Sequence, residues 1–173
     1  LMETLEDRDA DLRSAVAARL CYFVSKKSYE ALVSRWRQEC SPSVRIHILS
    51  SLVKFTSLRS QTLKSIGKED QKMVSPYQAA YAVFKRSLSG SKQTNAAWLA
   101  EMQTLNFAEK NEYFWAMGTS GDKNFIPVME FLRRNLRDRR LKKKLDGLID
   151  FNRSWRKYLG TKPATFGVER ART

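Results

Sequence analysis

Between Leu132 and Leu145 the chain reads LRRNLRDRRLKKKL, and eight of these fourteen residues are basic. Arg133, Arg134, Arg137, Arg139, Arg140, Lys142, Lys143 and Lys144 answer to one acid, Asp138. Seven residues after Leu145 the run NRSWRKY adds Arg153, Arg156 and Lys157, interleaved with Trp155 and Tyr158. Side chains of this type bind phosphates or carboxylates: neutralised phosphates release counterions, and exposed rings stack on bases. The Leu residues keep a helical core spacing, so the charges must fan out toward solvent or fill a helix–helix joint near residues 135–140. The spacing of Trp155 with Leu148 and Leu159 expects that ring in the core stripe instead of on a base.

Groups able to do covalent chemistry are sparse. His47 is the single histidine and sits between Val44 and Ile48, beside an apolar face. It has no second His for a metal or a proton relay. Cys21 and Cys40 stand apart with no CxxC, and both are expected as buried thiols in a reducing compartment, cytoplasm or nucleus. Asp7, Asp9 and Asp11 fit a helix start better than a calcium loop, which needs Gly and a distal Glu in register. Asp146 and Asp150 lie one turn apart and are expected to pair with Lys142, Lys143, Lys144, Arg153 or Arg156. No nucleophile elbow or phosphate loop is present. A non-catalytic chain without cofactor or metal is the expectation, though one that can be a part of a larger enzyme.

The charge balance points the same way. Lys and Arg number 32 against 18 acids, a net +14 over 173 residues. Such an excess suits an acidic protein or peptide surface as partner, or alternatively DNA or RNA gripped by the backbone. Membrane binding is not expected, since no long apolar run is present and large exposed apolar residues are few. Leu1 is not a natural start, which suggests a piece of a longer protein. The oligomeric state is not legible.

The elements that must carry these residues read as helices. Asp9 or Asp11 can cap a helix with Leu12, Val16, Leu20 and Phe23 inward. Ser28 can cap the next, with Leu32, Val33 and Trp36 inward. Ser41–Pro42 is a cap followed by proline at the first helical position, with Val44, Ile48, Leu52 and Phe55 inward. A short helix near 58–66 ends at Gly67, and KEDQK (68–72) reads as a link. Ser75–Pro76 repeats the Ser-Pro start, ahead of Ala80, Val83, Phe84 and Leu88. Thr94 or Asn95 caps a helix with Trp98, Leu99 and Met102, and Asn106 or Phe107 starts one with Tyr113, Phe114 and Met117. GTSGDKN (118–124) reads as a turn. Pro127 opens a helix with Met129, Leu132 and Leu136, and Leu141, Leu145, Leu148, Trp155 and Leu159 stripe the last. Eight or nine short helices are expected over residues 1–160, with 161–173 a polar tail.

Two of these stretches match at an offset of 32 residues. DADLRSAVAARLCYFVS (9–25) lies over SPSVRIHILSSLVKFTS (41–57), so Leu12 meets Val44, Arg13 meets Arg45, Val16 meets Ile48, Leu20 meets Leu52 and Phe23 meets Phe55. Recurring helix pairs of this length mark α-solenoids, in which one unit cannot bury its apolar face alone. The two segments resemble HEAT repeats, whose first helix begins Asp-x-x-Val-Arg. That resemblance implies an all-α fold of short antiparallel helix pairs stacked as a HEAT-like α-solenoid, with Arg13 and Arg45 as stacking residues paired to an acid of a neighbouring repeat. A second resemblance spans 75–132. Trp98, Glu109, Lys110, Ala116, Ser120 and Asp122 follow the order seen in the C-terminal helical region of M1-type aminopeptidases. That family's His-Glu-x-x-His zinc motif is absent, so no protease activity is implied. Helical-repeat DNA-repair enzymes share the basicity and the helix pairs, but no acid here stands beside an aromatic pocket. The favoured function is a scaffold or interaction module binding a protein or peptide through a basic face; nucleic-acid binding is the alternative.

Overall fold

The computed structural model describes residues 2–67 and 73–158, with side chains described through Ser154. Leu159, Gly160, the 161–173 tail and the KEDQK link lie outside the described residues, as do the side chains of Trp155, Arg156, Lys157 and Tyr158. Among the described residues the fold is all-α, without strands. Nine helices follow one another: α1 (Ala10–Leu20), α2 (Lys26–Gln38), α3 (Pro42–Leu52), α4 (Arg59–Ile66), α5 (Tyr77–Ser89), α6 (Asn95–Thr104), α7 (Phe107–Thr119), α8 (Phe125–Asn135) and α9 (Arg139–Tyr158). Short 3-10 turns precede α1 (Glu3–Glu6) and α4 (Thr56–Leu58).

The caps explain most of the boundaries. The Asp9 carboxylate accepts from the backbone N–H of Asp11 at 2.8 Å and of Leu12 at 3.3 Å, satisfying free donors at the start of α1. Ser25, not Ser28, caps α2, and Ser28 is buried one turn inside it. Ser41 and Pro42 start α3 as their order dictates. Thr94 caps α6, and Asn106 with Glu109 closes a reciprocal capping box on α7. The second Ser-Pro pair behaves differently. Pro76 is itself the cap of α5, and the Ser75 hydroxyl donates to Glu109 at 2.8 Å.

The helices pack in a regular order. α1 packs on α3, α3 on α5, α5 on α7 and α7 on α9, so the odd-numbered helices succeed one another as in the sequence. Of the even-numbered ones, α2 packs on α3 and α4, α4 on α5, and α8 on α6, α7 and α9. Val44, Ile48, Leu52, Phe55, Val83, Phe84, Phe114, Met117, Met129, Leu132 and Leu145 are among the core residues.

Three expectations change in this setting. Leu12 and Phe23, expected inward, are 40% and 56% exposed, and α1 buries Arg13, Val16, Ala17 and Leu20 instead. The matched positions Val44 and Phe55 are fully buried, because α3 packs on α1, α2 and α5, whereas α1 packs on α3 and the short 3-10 turn before it. The turn expected at 118–124 begins later. Gly118 lies in α7, where an added Cβ would come within 2.7 Å of Leu148 Cβ, so it marks a close crossing of α7 and α9. Gly121 does take the turn conformation, with φ +69°. Finally, α8 begins at Phe125, two residues before Pro127.

Candidate functional site: a basic helical hairpin

The basic run occupies the α8–α9 hairpin. Arg133 and Arg134 lie in the last turn of α8, where the negative helix end favours cations. Arg137 is in the joint, and Arg139, Arg140, Lys142, Lys143 and Lys144 crowd the first turns of α9, where the positive helix end disfavours them. Asp138 offsets this cost. Its carboxylate accepts from the N–H of Arg140 at 2.7 Å and of Leu141 at 3.2 Å, and these bonds hold it below the usual carboxylate range.

Tertiary contacts divide the cations into two sets. Arg133 forms a forked ion pair with Asp146, which sequence spacing had assigned to cations of α9. Arg153 bonds Glu130 at 2.5 Å and lies 3.8 Å from Asp150. Lys144 turns inward and donates to the Asn111 main-chain oxygen at 2.9 Å and to its Oδ1 at 3.0 Å, tying α9 to α7. Burial lowers the Lys144 pKa, opposed by the nearby Glu112 carboxylate. Burial raises Glu112, opposed by Lys144. Arg140 reaches Asp138 at 3.4 Å and lies over the Phe107 ring, 4.8 Å from its centre. Phe107, 45% exposed, was not found from sequence, because the pairing depends on where α7 begins relative to α9.

The second set has no acid to hold it. Arg134, Arg137, Arg139, Lys142 and Lys143 make no ion pair among the described residues, and all but the half-buried Lys142 are exposed. Between α8 and α9 lies an open cleft of about 420 Å³, lined by Glu130, Arg133, Arg134, Asp146, Ile149, Asp150 and Arg153. Its three arginines face three carboxylates, so the cleft itself is close to neutral. The available charge sits at the hairpin tip.

The remaining reactive groups have structural partners. His47 is half-buried with its ring edge-on to Trp115 at 5.1 Å, and burial together with the nearby Lys54 charge lowers its pKa. Cys21 is buried as expected, 3.6 Å from the Lys54 ammonium, but Cys40 is exposed, because it follows the last turn of α2 instead of packing within it. Among the described residues no three or more His, Cys, Asp and Glu side chains gather as metal ligands, and no helix is long and apolar enough to cross a membrane.

Comparison of the chain with protein-family models, with curated proteins and with solved structures gives no match.

Proposed function

We propose that the chain is a non-catalytic, HEAT-like helical-repeat module that holds an acidic protein or peptide partner on the tip of the α8–α9 hairpin. The observation that carries this reading is the set of five cations, Arg134, Arg137, Arg139, Lys142 and Lys143, left without acidic partners while their neighbours Arg133, Lys144 and Arg153 are tied into the fold. The succession of odd-numbered helices and the 32-residue match between the first two units support the stacked-repeat reading. Recognition would work by charge and shape, with long-range attraction raising the association rate. A nucleic-acid backbone is the second reading. It is favoured by one contact, the Arg140 guanidinium over the half-exposed Phe107 ring beside the free cations, which resembles the edge of a base-stacking platform.

Fluorescence anisotropy separates the two. A labelled Glu/Asp-rich peptide and labelled single- and double-stranded oligonucleotides are titrated with the protein at two salt concentrations. Saturable peptide binding lost in an Arg137→Glu/Lys143→Glu variant supports the module. Oligonucleotide binding that is much tighter and collapses with salt favours the second reading. Absence of both at low salt rejects the hairpin as a binding surface.

A further inference from the structure

We propose that Arg140, held over the Phe107 ring, is the specificity-determining group of the hairpin tip, and that the acidic partner segment carries an aromatic side chain that lies on the open side of its guanidinium. Resting on the acidic-partner reading of the tip, the stack adds what the partner must contain besides carboxylates. Its placement comes from the packing of α7 and α9. Three contacts climb both helices in the same direction: Arg140 with Phe107, Lys144 with Asn111, and the close approach of Leu148 to Gly118. The two helices are therefore parallel, and their N-terminal ends lie side by side. Phe107 is the first residue of α7 and Arg140 the second of α9.

Arg140 differs from the five free cations in how it is held. The Asp138 carboxylate accepts from it at 3.4 Å and the Phe107 ring centre lies 4.8 Å from its guanidinium carbon, yet the side chain stays 78% exposed. Two neighbours thus limit its motion while most of its surface faces water. The free cations have no ion pair among the described residues to fix them, so their long side chains lose more freedom on gripping a ligand. A guanidinium is planar and weakly hydrated: its edge donates to carboxylate oxygens, and its faces take aromatic rings. With Phe107 on one side, the other side is left for a ring of the partner, and the edge for an adjacent carboxylate. A Lys here would supply the charge and neither surface. The single ring also separates a peptide from nucleic acid, since single strands are gripped by successive rings. Among the described side chains the other exposed aromatic residues are Tyr22 and Phe23. They belong to the turn between α1 and α2, helices that pack on α3 and α4. One platform suits the one ring that a peptide side chain supplies.

Fluorescence anisotropy on the full chain tests this with three labelled peptides of the same length and charge: a Glu/Asp-rich peptide with a central Ala, and the same peptide with Trp or Leu in its place. The Trp peptide is expected to bind about fivefold more tightly than the Ala peptide, the gain of a cation–ring contact at an exposed site. The Leu peptide should show little of that gain. The ratio of Trp to Ala affinities should fall toward one in Arg140→Lys, which keeps the charge and loses the plane, and should fall in Phe107→Leu, which removes the supporting ring. A ratio is insensitive to a general loss of charge or stability, and thermal melts followed by circular dichroism check that both variants fold. Equal affinities for the three peptides, a Leu peptide as tight as the Trp peptide, or a ratio unchanged in Arg140→Lys would each overturn the stack and leave the acidic-partner reading in place. No peptide binding at low salt would reject that reading and the stack with it. Oligonucleotides that bind far more tightly than the Trp peptide, and lose that advantage in Arg140→Lys, would give the site to a nucleobase and overturn the proposal.

Discussion

Arg13 and Arg45, thirty-two residues apart, end on the same residue, Glu39. Arg13 donates from Nε and Nη2 to the two carboxylate oxygens at 2.9 and 3.1 Å. Arg45 donates from Nη1 to the main-chain oxygen of Glu39 at 3.0 Å and to that of Trp36 at 2.8 Å, with its guanidinium 4.0 Å from the Trp36 ring centre. Matched positions thus do different work. Arg13 pairs with a carboxylate, while Arg45 satisfies carbonyls at the C-terminal end of α2. Arg35 and the N–H groups of Cys40 and Ser41 complete the surroundings of Glu39, which is 1% exposed.

Removing one partner from this buried network leaves charge unpaired. Arg13→Gln is expected to lower unfolding free energy by about 3 kcal/mol, and Arg45→Gln by about 2 kcal/mol through two lost charge-assisted bonds. The double variant should fall short of the sum, since both act on Glu39. Urea denaturation checks the values, and anisotropy with the acidic peptide should show affinity nearly unchanged in the folded variants.

Glu39 also sets an acid limit. Burial pushes its pKa up, but the bonds from Arg13, the Ser41 N–H and Arg35 outweigh this and bring it from 4.5 to about 2. A depressed carboxylate contributes stability that is fully present above its unfolded value and is lost as pH falls toward the folded one. Chemical denaturation repeated between neutral pH and pH 2 should show the loss beginning below about pH 5. Glu39→Gln, less stable at neutral pH, should show a flatter curve through that window.

The crossing at Gly118 admits no side chain. Gly118→Ala places a Cβ 2.6 Å from Leu148 Cδ2 and 2.7 Å from its Cβ, so α7 and α9 must separate. The expected cost is about 2–3 kcal/mol, whereas Gly147→Ala, whose Cβ meets nothing within 4 Å, should be neutral or slightly stabilising through helix propensity. Thermal melts of the two variants provide the comparison.

The paired and unpaired cations of the hairpin should separate in their effects. Arg137→Glu/Lys143→Glu is expected to weaken acidic-peptide binding by about tenfold or more at low salt, with the melting temperature little changed. Lys144→Met should do the reverse. It loses the bonds to Asn111 and about 1–2 kcal/mol of stability, and leaves binding nearly intact.

The helices were legible because their signals are local. Ser41–Pro42, Asn106 with Glu109, and the apolar spacing of Val44, Ile48 and Leu52 each act within one or two turns. What failed depends on neighbours. Leu12 and Phe23 carry the same pattern as Val44 and Phe55, and only the presence of a helix on the second side separates a core residue from an exposed one. Gly118 looked like a turn because glycine serves turns and close crossings alike, and Leu148, thirty residues away, decides between them. The basic run was plain as composition. Its division into tied and free cations was not, since Asp146, Glu130 and Asn111 reach it through the packing of α7, α8 and α9.

The order of the odd-numbered helices turns a linear property of the chain into a spatial one. Residues 1–40 are neutral, while residues 125–158 hold eleven basic and four acidic side chains, half the net charge. In the succession of packed helices, α3, α5 and α7 stand between α1 and α9. Charge is therefore shared unevenly along the succession, with the excess of cations on its α8–α9 part. Under the proposed function, an acidic partner would feel its strongest attraction toward the α8–α9 hairpin and would meet that part of the molecule first.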